Sequence, residues 1–341
     1  MIVVFAGAGA SKAVNPDEYP TTADFPARLP AAIRGNELFG TVSSLLSDKG
    51  EPADIESILW IIEELGYFFG PLADKATVSG KFMKMPLARK IIGDYSRLLH
   101  GSNRIIGEIR DLKDSINCLV YDFYRRIPQR SELDRTWLTL LGKLTLFDRD
   151  LEIFTTNYDL ILETTIDHMI SADPNFPVSA GRNVRVRPEL DLSLWQRKGQ
   201  KGLLTKLHGS VDWCRAGDQI VLSEGSFQGD HAKHIVIYPG FKGRPKDEPF
   251  SSFHDYFKDK LCQASVVICI GFAFRDEYIN SMLNRNVRAD ALKILIDPIP
   301  SRPPFKAGLE SVKLITMPFG ENAVEECWGI LQSFFDPVIM T

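Results

Sequence analysis

The sequence predicts an α/β protein: a parallel sheet with helices on both faces, interrupted by an inserted all-helical subdomain. Three observations predict it. Short β-branched apolar runs recur along the chain, and several end in a polar or Gly-containing turn, as buried parallel strands feeding helices do. A long block between residues 31 and 135 instead repeats apolar residues at helical spacing. The 341 residues are 44% hydrophobic and 25% charged, an ordinary globular balance with room for a large domain plus an insertion.

The first strand is expected at Ile2–Ala6, running straight into Gly7-Ala8-Gly9-Ala10-Ser11. In the helical block, Ile55, Ile58, Leu59, Ile62 and Leu65 line one face after Asp54, a candidate cap. "ARKIIGDYSRLL" continues the pattern, as does the long segment from Ser102, itself a candidate cap. "SELDRTWLTLLGKL" offers Ser131 as a cap, with Glu132 and Asp134 opposing the helix dipole. Further buried strands are expected at Leu151–Thr155, Val266–Gly271 and Leu292–Ile296, with two more at Gly202–Leu207 and His234–Tyr238. The Arg-rich stretch Ala180–Lys201 reads as a long solvated loop. The organisation expected is an α/β domain over residues 1–30 and 136–341, with 31–135 as the helical insertion.

Charge and motif content exclude several classes. A net charge of −4 argues against a dedicated nucleic-acid binder. No run of 18 apolar residues exists for a membrane span. The apolar start is too short, and lacks the basic lead, for a signal peptide, which points to the cytoplasm. The five cysteines form no C-x-x-C pair, so buried free thiols are expected and no metal site. No Walker A run occurs; "SGKFMK" around Lys81 lacks the hydroxyl residue after lysine. A dinucleotide fingerprint starting at Gly7 meets Lys12 where its third glycine belongs.

Four strand ends carry the candidate chemistry. The small residues Gly7, Ala8 and Gly9 let backbone approach an anion, with Ser11 as an extra donor; a tight turn without a ligand is the alternative. In "IFTTNYDLILE", Thr156, Asn157 and Asp159 follow a strand, where ligands bind in open α/β sheets; either Asn157 or Asp159 equally suits a helix cap. In "TKLHGSVDW", His208 lies where a strand gives way to a loop, a place for a catalytic or a structural histidine. In "IGFAFRDEY", Gly271 and Phe272 form a turn, and Arg275 meets either a phosphate or the neighbouring Asp276 or Glu277. Asp297 after "LKILI" is a candidate for a ribose hydroxyl, or simply a loop start.

Taken in this order, the four segments resemble the sirtuin family. Gly7-Ala8-Gly9-Ala10-Ser11 resembles its GAG-x-S nucleotide loop, Thr156-Asn157-Tyr158-Asp159 its Gln-Asn-Ile-Asp motif, and His208-Gly209 its catalytic His-Gly. Gly271-Phe272-Ala273 falls where the family has a Gly-Thr-Ser turn. "YPTTADF", with Thr22 and Asp24, is similar to its flexible cofactor loop. The chain departs from deacetylating sirtuins in lacking the four-cysteine zinc module and in carrying Thr156 for the motif glutamine. "TTNYD", "LHGS" and "IGFAFRD" together resemble the NAD-hydrolysing sirtuin-like branch of bacterial anti-phage defence.

The resemblance implies a Rossmann-like sheet that binds NAD+ as substrate, without a metal. It implies cleavage of the nicotinamide–ribose bond, with Asn157 on the ribose and the attacking water, Asp159 on the nicotinamide carboxamide and His208 as general base. Gly7, Ala8, Gly9 and Ser11 would cradle the pyrophosphate; Thr22, Asp24, Thr156, Gly271, Phe272, Arg275 and Asp297 complete the implied NAD+ contacts. It further implies gating by homo-oligomerisation or by a separate protein, such as a HerA-type ATPase or an Argonaute-like partner. An NAD-dependent deacylase, an ADP-ribosyltransferase and a non-enzymatic NAD or ADP-ribose sensor are the alternatives.

Overall fold

The computed structural model describes residues 1–50, 52–73, 102–183, 189–196, 202–216, 219–222, 234–236, 245, 247–299, 305 and 308–336. They fall into two compact units, one of Met1–Thr21, Asp122–Ile237 and Lys242–Thr341, the other of Thr22–Tyr121 and Tyr238–Phe241.

The second unit is helical. After β1 (Ile2–Ala6) and α1 (Ala8–Val14) of the first unit, the chain forms α2 (Phe25–Arg28), α3 (Ala31–Arg34), α4 (Glu37–Asp48) and α5 (Ile55–Ala73). Asp54 caps α5 as expected, its Oδ1 accepting from the Ser57 N–H at 2.8 Å. Ile55, Ile58, Leu59 and Ile62 of α5 are buried, as are Ile109, Leu112, Ile116 and Val120 of α6 (Ser102–Tyr124). This one-sided burial at helical spacing is what holds such helices in place. The expected helix in "ARKIIGDYSRLL", and Lys81, lie outside the described residues.

The chain then re-enters the first unit through α7 (Arg130–Leu133) and α8 (Trp137–Leu144). Here Ser131 is not the cap. Glu132 closes the turn instead, its Oε2 accepting from the Gln129 N–H at 2.7 Å, and α8 begins afresh after Thr136. Next come β2 (Leu151–Thr155) and α9 (Ile161–Ala172). The Arg-rich stretch expected as a loop instead contributes β3 (Arg182–Asn183), β4 (Glu189–Leu190) and a short 3-10 turn. The chain continues through β5 (Leu204–Lys206), β6 (Gly209–Ala216), β7 (Gln219–Leu222), β8 (His234–Val236), α10 (Phe250–Gln263), β9 (Val266–Ile270) and α11 (Glu277–Asn286). It closes with β10 (Leu292–Ile296), β11 (Val312–Ile315) and α12 (Glu321–Phe335).

Six strands make an all-parallel sheet in the order β11-β10-β9-β1-β2-β5. Numbered by their succession in the chain, that order is the doubly wound 3-2-1-4-5-6 arrangement read from the other edge. A second, antiparallel sheet runs β3-β4-β7-β6-β8. It takes up His234–Val236, so this predicted strand pairs antiparallel with β6 rather than joining the parallel sheet.

Strands β1, β2, β9 and β10 are buried along their whole length, as central parallel strands covered on both faces must be. Val3, Phe5, Phe154, Val267, Cys269 and Leu295 share one cluster with Phe253, Phe257 and Leu261 of α10 and Ile279 and Leu283 of α11. Phe5 stacks on Phe257 with centroids 5.4 Å apart. The alternate strand residues point to the other face, and α12, whose buried residues stand outside that cluster, packs on β10 and β11. The cysteines are not uniformly buried: Cys269 and Cys327 are, and burial pushes both thiols up to about 12, but Cys262 is exposed and Cys118 and Cys214 are half-buried.

Candidate functional site

In a doubly wound sheet the crevice for a ligand opens beyond the carboxyl ends of the strands, where the winding reverses. Here the reversal falls between β1 and β9. The turns leaving these two strands are locked together. Gly7 N–H donates to the Ile270 carbonyl at 2.9 Å and Gly9 N–H to the Gly271 carbonyl at 2.9 Å. Gly271 has φ +57°, and a Cβ there would lie 2.2 Å from the Ala10 nitrogen. The glycines thus serve a close turn-on-turn approach, and the Gly7 and Gly9 amides are occupied by carbonyls of the partner turn.

From β2 a second turn reaches the same place. Thr155 Oγ1 donates to the Ala6 carbonyl at 3.0 Å and accepts from the Asn157 N–H at 3.0 Å, and Thr156 N–H donates to Ala6 O at 3.3 Å. Asn157 Nδ2 donates both to the Gly7 carbonyl and to Ser11 Oγ, each at 2.8 Å. A carbonyl only accepts, which assigns the amide nitrogen to that side and leaves Asn157 Oδ1 as an acceptor with no hydrogen bond among the described residues. Ser11 Oγ donates to Asp159 Oδ2 at 2.6 Å, and Asp159 Oδ1 accepts from the Ile161 N–H at 3.1 Å. Asp159 thus braces the turn before α9, whose N-cap position is Leu160, and both of its oxygens are engaged.

His208 follows β5, next to β2, and is buried. Its Nε2 lies 3.3 Å from Asp276 Oδ2. Its Nδ1 is buried without a hydrogen bond among the described residues. Asp276 also caps α11, Oδ1 accepting from the Ile279 N–H at 2.9 Å. Burial alone would raise the Asp276 carboxyl, but the His208 hydrogen bond and charge, with the Ile279 and Tyr278 amides, hold it below its ordinary value. A carboxylate on Nε2–H makes Nδ1 the basic nitrogen of a neutral imidazole.

Ser11, Thr156, Asn157, Asp159, His208, Gly271 and Phe272 thus gather at the ends of β1, β2, β5 and β9. Phe272 stands edge-on to Phe5, centroids 4.7 Å apart. Arg275 is exposed on the turn before α11. Asp297, at the end of β10, accepts from the Ile299 N–H at 2.8 Å, and burial raises its carboxyl. Thr22 and Asp24 belong to the helical unit, where the Thr22 carbonyl accepts from the Ile55 N–H at 3.0 Å. Two groups escaped the sequence reading: Asp276 as the histidine's partner, and Lys206, fully buried at the end of β5. Asp276 starts a helix, a position that signals capping; a lysine inside "LLTKLHG" is the only trace of the other.

These features define a doubly wound α/β protein with a polar cluster at its switch point. Residues 151–303 match the family model of the SIR2-like domain. Among solved structures, a triply substituted Sir2 homologue in complex with 2′-O-acetyl ADP ribose is 13% identical, covering 98% of this chain and 93% of that one at a TM-score of 0.44. A Sir2 homologue–NAD complex is also 13% identical, covering 97% and 90% at a TM-score of 0.41. Overlaps this loose add nothing to the sheet order and the domain match. No curated protein matches the chain. No described helix is long and apolar enough to cross a membrane. Among the described residues, no group of three or more His, Cys, Asp or Glu side chains is placed to hold a metal.

Proposed function

We propose that the protein is an NAD+ hydrolase that cleaves the nicotinamide–ribose bond, releasing nicotinamide and ADP-ribose. One observation carries this reading: His208 Nδ1 is buried without a hydrogen bond among the described residues while Asp276 holds its Nε2, and at the adjacent strand end Gly7 and Ser11 fix the amide nitrogen of half-buried Asn157. A buried polar atom left in this state calls for an explanation, and a ligand hydroxyl or water supplies one.

The chemistry asks little more. As the N-glycosidic C–N bond breaks, its electron pair returns to the nicotinamide ring, neutralising the pyridinium, and positive charge builds on the ribose as in glycoside hydrolysis. A water forms the new C–O bond, and its proton passes to His208 and then to solvent. Asn157 Oδ1 aligns the ribose or the water, a positioning effect. Asp276 stabilises the imidazolium that forms. Asp159, whose oxygens already accept from Ser11 and Ile161, is best placed to fix the Ser11–Asn157 pair. The turns at Gly7–Ser11 and Gly271–Phe272 border the remainder of the dinucleotide. The resemblance to the defence branch supports NAD+ depletion as the physiological outcome, gated by assembly or by a partner protein.

The test is nicotinamide release, assayed with the chain alone and with the product of the adjoining gene. Asn157→Ala and His208→Ala are each expected to lower the rate at least ~10²-fold, the scale of losing a positioned catalytic group. A wild-type protein that releases no nicotinamide in either assay, or a variant that keeps full activity, overturns the reading. Acetylated peptide added to the same assay yields O-acetyl-ADP-ribose only if the chain is a deacylase.

A further inference from the structure

A buried cation that the mechanism leaves without a task stands directly behind the site. Lys206 is 2% exposed. Its ammonium donates to the Tyr158 carbonyl at 3.2 Å, to the Asp159 carbonyl, to Glu163 Oε1 at 2.8 Å and to Ser210 Oγ at 2.9 Å. Tyr158 and Asp159 belong to the turn after β2 that carries Asn157; Ser210 belongs to the start of β6, directly after the turn that carries His208. Two backbone bonds run beside the ammonium between the same segments, Leu207 N–H to Thr155 O at 2.8 Å and Val211 N–H to Tyr158 O at 3.0 Å.

We propose that Lys206 is a positioning residue that locks the Asn157 turn to the His208 turn, setting the geometry between the two groups assigned to bond cleavage. The proposal rests on the hydrolase reading only for its catalytic consequence. An ion pair with Glu163 alone would need one acceptor, and burying it would bring little net stability. The ammonium instead faces two consecutive carbonyls of a turn, groups that carry no charge to neutralise but do define where that turn sits. A fixed donor at the centre of two loops is what converts separate strand ends into one rigid site. Glu163 then adds a side-chain acceptor that holds the ammonium in place, and burial raises its own carboxyl above the ordinary value, opposed by the Lys206 charge.

The experiment uses the full chain and two readouts. Lys206→Met combined with Glu163→Gln removes both charges together, so that neither is left buried and unpaired. The double variant is expected to melt near the wild-type temperature. Its kcat for nicotinamide release should fall on the order of 10²-fold, the effect of misplacing a reacting group by about an ångström, with KM little changed. Amide hydrogen exchange at Leu207 and Val211 should accelerate together by at least ~10-fold, while amides of β9 and β10 stay as protected as before. Glu163→Gln alone, which keeps the lysine on its carbonyls, should alter exchange at those two amides far less. A folded double variant with unchanged exchange at Leu207 and Val211 overturns the inference, whatever its activity. Equal loss of protection in β9 and β10 does so too, because Lys206 is then a general stabiliser. If the double variant does not fold, Lys206→Gln, which retains one donor, takes its place; failure of both to fold likewise overturns the inference. A wild type that releases no nicotinamide refutes the hydrolase reading, and the exchange arm still decides the role of Lys206.

Discussion

On the hydrolase reading Asp276 serves both chemistry and stability, and the two effects separate with pH. Its carboxyl is held below the ordinary 3.8 because, despite the cost of burial, it accepts from His208 and from two amides of α11. A carboxyl whose folded value is depressed contributes stability above its unfolded value and loses it as pH falls through the folded one. Asp276→Asn should therefore melt lower than wild type near pH 7, and the gap should close as pH drops below about 3.8. Glu152 and Glu163 work in the opposite sense. Burial raises both, so what they withhold from stability grows as pH rises through their folded values. Melting curves of wild type and Asp276→Asn from acid to neutral pH isolate the aspartate, because both glutamates are common to the two proteins. In turnover, the asparagine variant keeps a hydrogen-bonding side chain but loses the charge that stabilises an imidazolium. Its kcat is expected to fall at least ~10-fold with KM nearly unchanged, within the range of losing part of a general-base assembly. Equal activity in the two proteins would remove Asp276 from the mechanism.

At the scale of elements, the site depends on the turn after β1 lying against the turn after β9. Gly271→Ala tests this. The left-handed φ costs an L-residue roughly 1–2 kcal/mol, and the added methyl would sit 2.2 Å from the Ala10 nitrogen, so a turn must move. Loss of at least ~2 kcal/mol is expected, with denaturant unfolding as the measurement; a variant as stable as wild type would mean the turns do not need this contact. The same elements show what the sequence reveals and what it hides. Strands β1, β2, β9 and β10 are legible because both faces are buried, which forces continuous apolar runs. β11 escapes notice because, at the sheet edge, its Lys313 and Leu314 are exposed, and its sequence looks like any amphipathic loop. Two strands of the antiparallel sheet, β3 and β4, hide in an Arg-rich stretch, where two residues each leave no period to count. Asn157 and His208 stand out as polar residues at strand ends. Lys206 and Asp276 do not, since their meaning lies in partners brought near only by the fold.

For the molecule as a whole, the reading makes a thermodynamic claim that does not need turnover. A ligand that binds only the folded state stabilises it by RT ln(1 + [L]/Kd), about 2.7 kcal/mol at a hundredfold excess over Kd. ADP-ribose retains every part of the dinucleotide except the leaving nicotinamide, and the contacts proposed for it lie on the turns at Gly7–Ser11 and Gly271–Phe272. For a chain of 341 residues, at an unfolding entropy of about 2.1 cal/mol/K per residue, each kcal/mol moves the melting point by about 1–2 °C. Saturating ADP-ribose should thus raise the melting temperature by a few degrees, on the order of 3–5 °C. His208→Ala should show a comparable shift, because it lacks the base and keeps those turns. Gly271→Ala should show a smaller one, because its pair of turns no longer meets as in the wild type. The comparison separates the two parts of the site that the proposed reading assigns: His208 to the reaction, and the locked turns to the binding of the nucleotide. If ADP-ribose shifts neither wild type nor His208→Ala, the switch-point crevice does not hold this nucleotide, and the hydrolase reading falls with it.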